Sequence, residues 1–200
     1  MIDKLKALKN IPVLGKILIK IYGFVRNQSI ESFYHYNAQF NRTIGVTDTK
    51  RNTPIIVTLT TIPERIDRVY LAVETLLKQS IKPDRLILWV KKSDFSLEKL
   101  SNKNRYTKKL IQQKLRGLQI EFCEDLFSYS KIIHTLKKYP DAIIVTADDD
   151  LYYKKHWLKE LYESYLINSD YIHCHMARYI IKASSNSLQT VFNWNKELKS

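Results

Sequence analysis

Residues 142–150, AIIVTADDD, run from a short apolar segment directly into three aspartates. An apolar segment of this length is typical of a buried strand in a parallel sheet. Three further strand-like segments precede it, and helical patterns separate the four: PIIVTLT (54–60), RLILWV (85–90) and LQIEFC (118–123). This alternation predicts an α/β fold with a mostly parallel, Rossmann-like sheet and helices on both faces. A ligand would then bind outside the carboxyl ends of the strands.

The helical patterns complete this prediction. They cover a segment that begins at Asp67, a basic segment at 97–115, the segment 130–139 and the segment 157–166. A last apolar run, YIHCHMARYII (171–181), predicts a further extended segment that contains His173, Cys174 and His175.

The aspartate triplet lies where such a sheet binds ligands. Along an extended chain alternate side chains point the same way, so Asp148 and Asp150 form the natural pair. Carboxylates are hard oxygen ligands that select Mg²⁺ or Mn²⁺, with substrate phosphates completing the coordination shell. An acidic cluster can instead complement the dipole of a following helix. The position directly after a strand favours the metal site.

Glycine and cysteine counts exclude several classes. The four glycines are scattered, so the chain has no GxGxxG, Walker A or GxSxG motif. The two cysteines, Cys123 and Cys174, form no disulfide framework and no zinc-type CxxC spacing. We expect both to be inert thiols in buried strands. For His173 and His175 we expect core or pocket positions rather than metal ligation, because no third ligand is evident.

Positive charge is concentrated in two segments. Of a net charge of +13, residues 1–30 contribute six Lys and Arg against one Asp, and residues 91–116 contribute nine against two acids. Because the remainder of the chain is nearly neutral, we expect no nucleic-acid partner. Each segment can also be a merely solvated face.

The N-terminal segment has apolar residues at helical spacing with lysines between them. Residues 1–30 therefore predict a basic amphipathic helix, followed by a polar linker at 31–53 and a domain at 54–200. Its apolar run is too short and too charged to span a bilayer. We expect residues 1–26 to contact an anionic membrane surface, with packing on the chain's own domain as the alternative. The expected location is cytoplasmic, peripheral on the inner face of the membrane.

Four stretches carry a resemblance to a known family. The chain resembles the bacterial GT-A glycosyltransferases of capsule, lipooligosaccharide and other surface-polysaccharide synthesis. The stretches are VTLTTIPERI (57–66), LLKQSIKPDRLILWV (76–90), FCEDLFSYSKIIHTLKKYPDAIIVTADDD (122–150) and LYYKKHWLKELYESY (151–165). The triplet corresponds to the DXD motif of that family, which binds Mn²⁺ or Mg²⁺ and the diphosphate of a nucleotide sugar.

The resemblance also implies roles for other residues. Thr60, Thr61, Pro63 and Arg65 would face the nucleotide, Lys131 would lie near the donor, Asp149 would contribute to donor binding, and Asp94 would be a weaker contact with base or ribose. Arg65 can alternatively pair with Glu64 or Asp67 on the surface, and Lys131 can be a solvated lysine.

The function that follows is transfer of a sugar from a nucleoside-diphosphate donor, expected to be a UDP-sugar, to a growing cell-surface glycan or glycolipid. Family members continue beyond the region that matches residue 182, so we expect residues 54–200 to lack most of the acceptor half. No general base can be named. The alternative is a truncated or catalytically silent donor-fold protein that acts as a membrane-associated assembly partner. A sugar-phosphate nucleotidyltransferase is less favoured, because the TTIPERI loop has no glycine.

Overall fold

A computed structural model describes most of the 200-residue chain. The described residues are 12–49, 51–96, 98, 105–180, 182–184, 187–188 and 195–196. They divide into two compact units, residues 1–155 and 156–200. The single domain expected over 54–200 stays a prediction.

The larger unit alternates strands and helices. Its elements are α1 (Pro12–Phe40), β1 (Ile55–Thr60), α2 (Val69–Leu76), β2 (Arg85–Lys91), α3 (Arg105–Lys114), β3 (Leu118–Cys123), a 3₁₀ turn (Phe127–Tyr129), α4 (Ser130–Lys138) and β4 (Ile143–Thr146). All four predicted strands are present. The helix predicted from Asp67 begins at Val69, and the start of the helix predicted at 97–115 lies mostly outside the described residues.

The four strands form one parallel sheet in the order β3-β2-β1-β4. Ile55 pairs with Ile143 on one side of β1, and Ile56 pairs with Arg85 on the other. The predicted α/β class and parallel, Rossmann-like sheet are therefore confirmed. The apolar runs of β1 and β2 occupy the centre, where almost every residue is buried, because helices cover a parallel sheet on both faces.

The reversal of strand order after β3 distributes the helices between the two faces. Helices α1, α2 and α3 pack against one another, whereas α4 packs on β1, β2 and β4. Crossovers between parallel strands are right-handed, so a connection that runs back past β1 must cross on the opposite face. On the α4 face, Ile56, Ile87, Trp89 and Cys123 form a buried cluster. The prediction that Cys123 is buried is confirmed.

Helix α1 continues to Phe40, beyond the boundary at residue 30 that the sequence predicts. Polar side chains in its second half contact the helices beside it, and these contacts stabilise a segment whose composition resembles a linker. The contacts are Glu31 with Arg68 (2.8 Å), His35 with Tyr70 (2.7 Å), Asn37 with Lys78 (3.0 Å) and Gln39 with Lys109 (3.0 Å). None of the helices described here has both the length and the apolarity needed to cross a lipid bilayer.

A buried ionic cluster lies between α2 and the end of α3. Glu74 Oε2 accepts hydrogen bonds from Arg116 Nη1 at 2.6 Å and from Gln113 Nε2 at 3.1 Å. Arg116 Nε also donates to the carbonyl oxygen of Thr43 at 2.9 Å. The cluster therefore ties the loop after α1 to both helices.

The described residues of the smaller unit form one helix and two short antiparallel strand pairs. These are α5 (Trp157–Ile167), β5 (Arg178–Tyr179) paired with β8 (Asn195–Lys196), and β6 (Lys182–Ser184) paired with β7 (Ser187–Leu188). The continuous strand predicted at 171–181 is wrong, since among the described residues 171–180 only Arg178–Tyr179 is a strand. Cys174 is exposed, contrary to the buried position expected of it, because it lies before this strand and not within it.

Candidate functional site

A cavity of about 450 Å³ opens at the carboxyl ends of the strands. Its walls come from the segments that follow all four strands: 60–65 after β1, Lys91 and Asp94 at the end of β2, 125–131 after β3, and 148–150 after β4. The strand order reverses between β1 and β4, and a crevice at such a switch point is where open α/β sheets bind ligands. The structure therefore brings Thr60, Thr61, Arg65, Asp94, Lys131 and the aspartate triplet together, as the sequence predicts.

The three aspartates differ in exposure. The side chains of Asp148 and Asp150 are 56% and 55% exposed, whereas that of Asp149 is 5% exposed. Strand β4 ends at Thr146, and Asp149 and Asp150 lie in a turn. Side-chain exposure still alternates along the triplet, as in an extended chain, although the last two aspartates lie in the turn. Asp148 and Asp150 are the two carboxylates open to a ligand.

Asp149 connects the loops after β1 and β4. Thr61 Oγ1 donates a hydrogen bond to Asp149 Oδ2 at 2.6 Å, and Arg65 Nη1 lies 3.0 Å from Asp149 Oδ1. Because both partners come from the β1 loop, this buried carboxylate holds the two loops in register. Asp149 is therefore a nearly buried part of the cavity wall that supports both loops.

Two cations neutralise the exposed carboxylates. Arg65 Nη1 lies 2.8 Å from Asp150 Oδ2, and Lys131 Nζ pairs with Asp148 Oδ1. Lys131 Nζ also donates to the carbonyl oxygen of Ala147 at 3.1 Å. Among the alternatives for Arg65, the structure places it with the triplet rather than with Glu64 or Asp67. An anionic ligand would compete with the carboxylates for both cations.

A buried network fixes the start of α4, from which Lys131 extends. Thr135 Oγ1 donates to the Lys131 carbonyl oxygen at 2.6 Å and lies 2.9 Å from Thr58 Oγ1 of β1. Trp89 Nε1 of β2 donates to Thr135 Oγ1 at 2.8 Å. The first turn of α4 is thus attached to two central strands, and the position of Lys131 follows from the sheet.

Tyr153 supports the triplet from below. Its phenolic oxygen accepts the backbone N–H of Asp148 at 2.6 Å, and its own N–H donates to Thr75 Oγ1 at 3.1 Å. Burial raises the pKa of Tyr153 to about 12, and the charges of the three aspartates add to the rise. The hydroxyl therefore remains protonated at neutral pH and holds the loop as a neutral group.

The loop after β3 presents an exposed aromatic ring at the mouth of the cavity. Phe127 has a φ of 52°, in the left-handed region that residues with a side chain seldom adopt, and it is 82% exposed. The carboxylate of Asp125 accepts the Phe127 N–H at 2.8 Å and lies 3.4 Å from Lys91 Nζ. These contacts lower the pKa of Asp125, the Phe127 N–H most strongly. The loop is therefore held in a conformation that exposes the ring.

The remaining predicted residues occupy different positions. Thr60 Oγ1 donates to the Trp89 carbonyl oxygen at 3.0 Å, so its hydroxyl is engaged within the sheet. Asp94 lines the cavity, and its Oδ1 lies 3.8 Å from Lys91 Nζ. His173 and His175 belong to the smaller unit, where they bond to the carbonyl oxygens of Asn168 and Trp157.

Side chains that could coordinate a divalent cation at the cavity include the carboxylates of the triplet. Within the described part of the chain, no group of three or more His, Cys, Asp or Glu side chains is arranged to hold a metal ion. Mg²⁺ sites at phosphate-binding centres need only one or two carboxylates, because water and phosphate oxygens complete the shell. Asp148 and Asp150 are exposed hard oxygen ligands on the cavity surface. They fit a metal shared with a diphosphate, but not a metal held by the protein alone.

A larger cavity, of about 560 Å³, lies at the opposite end of the strands. One of its acidic groups, Asp84, is engaged with Arg51 and with the N–H of Ile55 at 2.8 Å. Its walls gather no cluster of carboxylates and cations comparable to the carboxyl-end cavity in the described residues. We therefore assign the candidate site to the carboxyl end.

Sequence reasoning missed Tyr153, Asp125 and Phe127. Asp125 and Phe127 follow a predicted strand, so their position relative to β3 could have indicated the cavity. Tyr153 offers no such signal, because its contact with the triplet depends on how the chain turns after Asp150.

A comparison with protein-family models, with curated proteins and with solved structures found no match to this chain.

Proposed function

We propose that this chain is a glycosyltransferase that transfers a sugar from a nucleoside-diphosphate donor, with UDP as the expected nucleotide, to a growing surface glycan or glycolipid. One observation carries the proposal: the aspartate triplet meets Arg65 and Lys131 in one cavity at the switch point of a parallel sheet. The resemblance of the stretches around this cavity to GT-A glycosyltransferases supports it. A cytoplasmic location at the inner face of the membrane belongs to the same proposal.

Arg65 and Lys131 would bind the diphosphate. Each already pairs with a half-exposed carboxylate, and an exposed ion pair is weak enough to exchange for another anion. The guanidinium of Arg65 can contact two phosphate oxygens at once, whereas Lys131 acts as a point charge. Asp148 and Asp150, released from these cations, would hold Mn²⁺ or Mg²⁺. When bound, the metal would stabilise the charge of the departing nucleotide.

The nucleoside would occupy the half of the cavity away from the triplet. Phe127 offers an aromatic face at the mouth, and Asp94 and Asp125 offer carboxylate oxygens that can accept hydrogen bonds from a base or a ribose. Thr61 and Asp149 would keep the phosphate loops in place through their buried contact. Tyr153 would hold the Asp148 backbone without adding a charge.

Calorimetry of the full chain with UDP, with and without Mn²⁺, tests this proposal. We expect UDP to bind markedly more tightly with Mn²⁺, because the released carboxylates and the phosphates share the metal. Asp150→Ala should abolish the effect of Mn²⁺. The control Asp141→Ala removes an exposed carboxylate outside the cavity and should bind as the unaltered chain does. No binding of UDP with either Mn²⁺ or Mg²⁺ would refute the proposal.

Hydrolysis of UDP-sugars in the absence of acceptor separates binding from turnover. We expect the unaltered chain to release UDP from at least one donor sugar and Asp150→Ala to release none. Binding of UDP and Mn²⁺ without hydrolysis of any donor would favour the alternative, a silent donor-fold protein that acts as an assembly partner.

A further inference from the structure

The outward face of α1 carries large apolar side chains that the larger unit leaves exposed. Five of them are between 53% and 63% exposed: Ile21, Val25, Phe33, Tyr36 and Phe40. With roughly 3.6 residues per helical turn, these positions fall within about one third of the circumference of the helix. They form a single stripe, which we call the α1 stripe. The rings of Tyr36 and Phe40 are 4.6 Å apart, so the stripe is continuous at this end.

The opposite face of α1 is attached to the larger unit. Glu31 pairs with Arg68, His35 bonds to Tyr70, and Ala38 is 1% exposed. The orientation of the helix is therefore fixed by contacts with α2 and its surroundings. Most of the α1 stripe faces away from these contacts, and at its edge Lys78 Nζ lies 4.5 Å from the centre of the Phe33 ring. Rotation of the helix cannot bury the stripe without breaking the contacts.

The charge around the α1 stripe has one sign. Glu31 is the single acidic residue of α1, and it belongs to the attached face. Helix α1 itself contains three basic residues, Lys16, Lys20 and Arg26, against this one acidic residue. Lys78 adds a further positive charge beside Phe33, at the edge of the stripe. The helix that carries the apolar stripe is therefore net positive.

We propose that α1 lies on an anionic lipid surface, with the α1 stripe buried at the level of the headgroups and the basic residues of the helix near the anionic headgroups. Interfacial helices combine an apolar face with surrounding positive charge, and both contributions strengthen binding to anionic lipid. A second copy of the chain is a poorer occupant, because its stripe would bring a surface of the same positive sign into contact. This surface extends the contact expected for residues 1–26 as far as Phe40. Membrane binding itself does not depend on the proposed enzymatic function.

Vesicle co-sedimentation of the full chain tests the proposal. The vesicles are either phosphatidylcholine or an equimolar mixture of phosphatidylcholine and phosphatidylglycerol. We expect binding to the anionic vesicles, weakened by added salt, and little binding to the neutral ones. The triple variant Phe33→Ser, Tyr36→Ser, Phe40→Ser should bind at least about tenfold more weakly, because it removes the aromatic side chains that form most of the stripe.

The control is Ile132→Ser with Leu136→Ser, which removes two exposed apolar side chains of α4 from the other face of the sheet. It should bind as the unaltered chain does. Since the triple variant alters a segment attached to the larger unit, a second variant, Ile21→Ser with Val25→Ser, alters the stripe before that segment. It should also weaken vesicle binding, with an unchanged thermal unfolding midpoint.

Three results would overturn the proposal. The first is equal binding to neutral and anionic vesicles, or no binding to either. The second is unchanged binding by both stripe variants. The third is a dimer in analytical ultracentrifugation that dissociates in the stripe variants, which would assign the stripe to a second copy of the chain.

Discussion

Two clusters in the larger unit join an arginine to a carboxylate, in opposite surroundings. Arg116 Nη1 lies 2.6 Å from Glu74 Oε2, and the two side chains are 3% and 0% exposed. Arg65 Nη1 lies 2.8 Å from Asp150 Oδ2, but these side chains are 42% and 55% exposed. Nearly the same distance therefore has different consequences. The buried pair stabilises the fold, because removing one partner would leave the other charge buried and unsolvated. In the exposed pair, water can solvate each charge, so a ligand can replace one of the partners.

The largest effect is expected for Glu74→Ala, which leaves Arg116 buried without its partner. We expect the free energy of unfolding to fall by about 3–5 kcal/mol in urea denaturation. The double variant Glu74→Met, Arg116→Met removes both charges and should lose less. If Glu74→Ala lowers the free energy of unfolding by less than about 1 kcal/mol, this buried pair contributes no more than an exposed ion pair does.

Asp149→Ala should have the next largest effect. It removes the acceptor of the Thr61 hydroxyl and one of the two partners of Arg65, inside a buried contact between two loops. We expect a loss of about 1–3 kcal/mol in the free energy of unfolding, again measured in urea. Asp141→Ala is the matched control and should be neutral. Equal stability of both variants would show that Asp149 does not hold the loops.

Tyr153 gives a dependence on alkaline pH. Its pKa is raised from 10 to about 12 in the folded chain, so between these values the unfolded chain releases a proton that the folded chain retains. The free energy of unfolding should therefore fall as pH rises through this range. The fall should be larger in the unaltered chain than in Tyr153→Phe, by up to about 2 kcal/mol. The comparison cancels the contributions of Tyr34 and Tyr152, whose pKa values burial also raises. Parallel stability curves for the two proteins would contradict the expectation.

The smallest effect on stability is expected for Asp150→Ala. Its side chain is half exposed and its ion pair with Arg65 is screened by water, so the free energy of unfolding should change by about 0.5 kcal/mol or less. The same variant should abolish the Mn²⁺-dependent binding of UDP. Thermal unfolding and calorimetry on one preparation measure both. A large loss of stability would mean that the exposed cluster also belongs to the framework.

The sheet could be predicted from the sequence because each strand is a short apolar run bounded by polar residues. The position of the triplet after β4 then followed from the geometry of parallel strands. The sequence did not predict that α1 continues to Phe40, because the residues beyond 30 are polar and their partners, such as Arg68 and Lys109, lie far along the chain.

The sequence predicts which residues lie together at the sheet edge, but not their contacts. Thr61, Arg65, Lys131 and the aspartates do line one cavity, while their roles in binding stay predictions. That Asp149 is buried, and that Arg65 and Lys131 neutralise its neighbours, depends on side-chain orientations that strand periodicity does not determine. Tyr153 could not be predicted at all, since no pattern marks a tyrosine that turns back to the strand before it.

The pairing of β1 with β4 has a consequence for how the chain folds. β1 can pair with β2 early, across a short connection, but Ile55 meets Ile143 only after most of the larger unit has been synthesised. Contacts so distant in sequence carry a high entropic cost of loop closure and form slowly. Since the segments after β1 and β4 both line the cavity, its completion should coincide with the last slow phase of refolding. The proposed binding of a nucleotide would then appear together with the final gain of native structure, not before it.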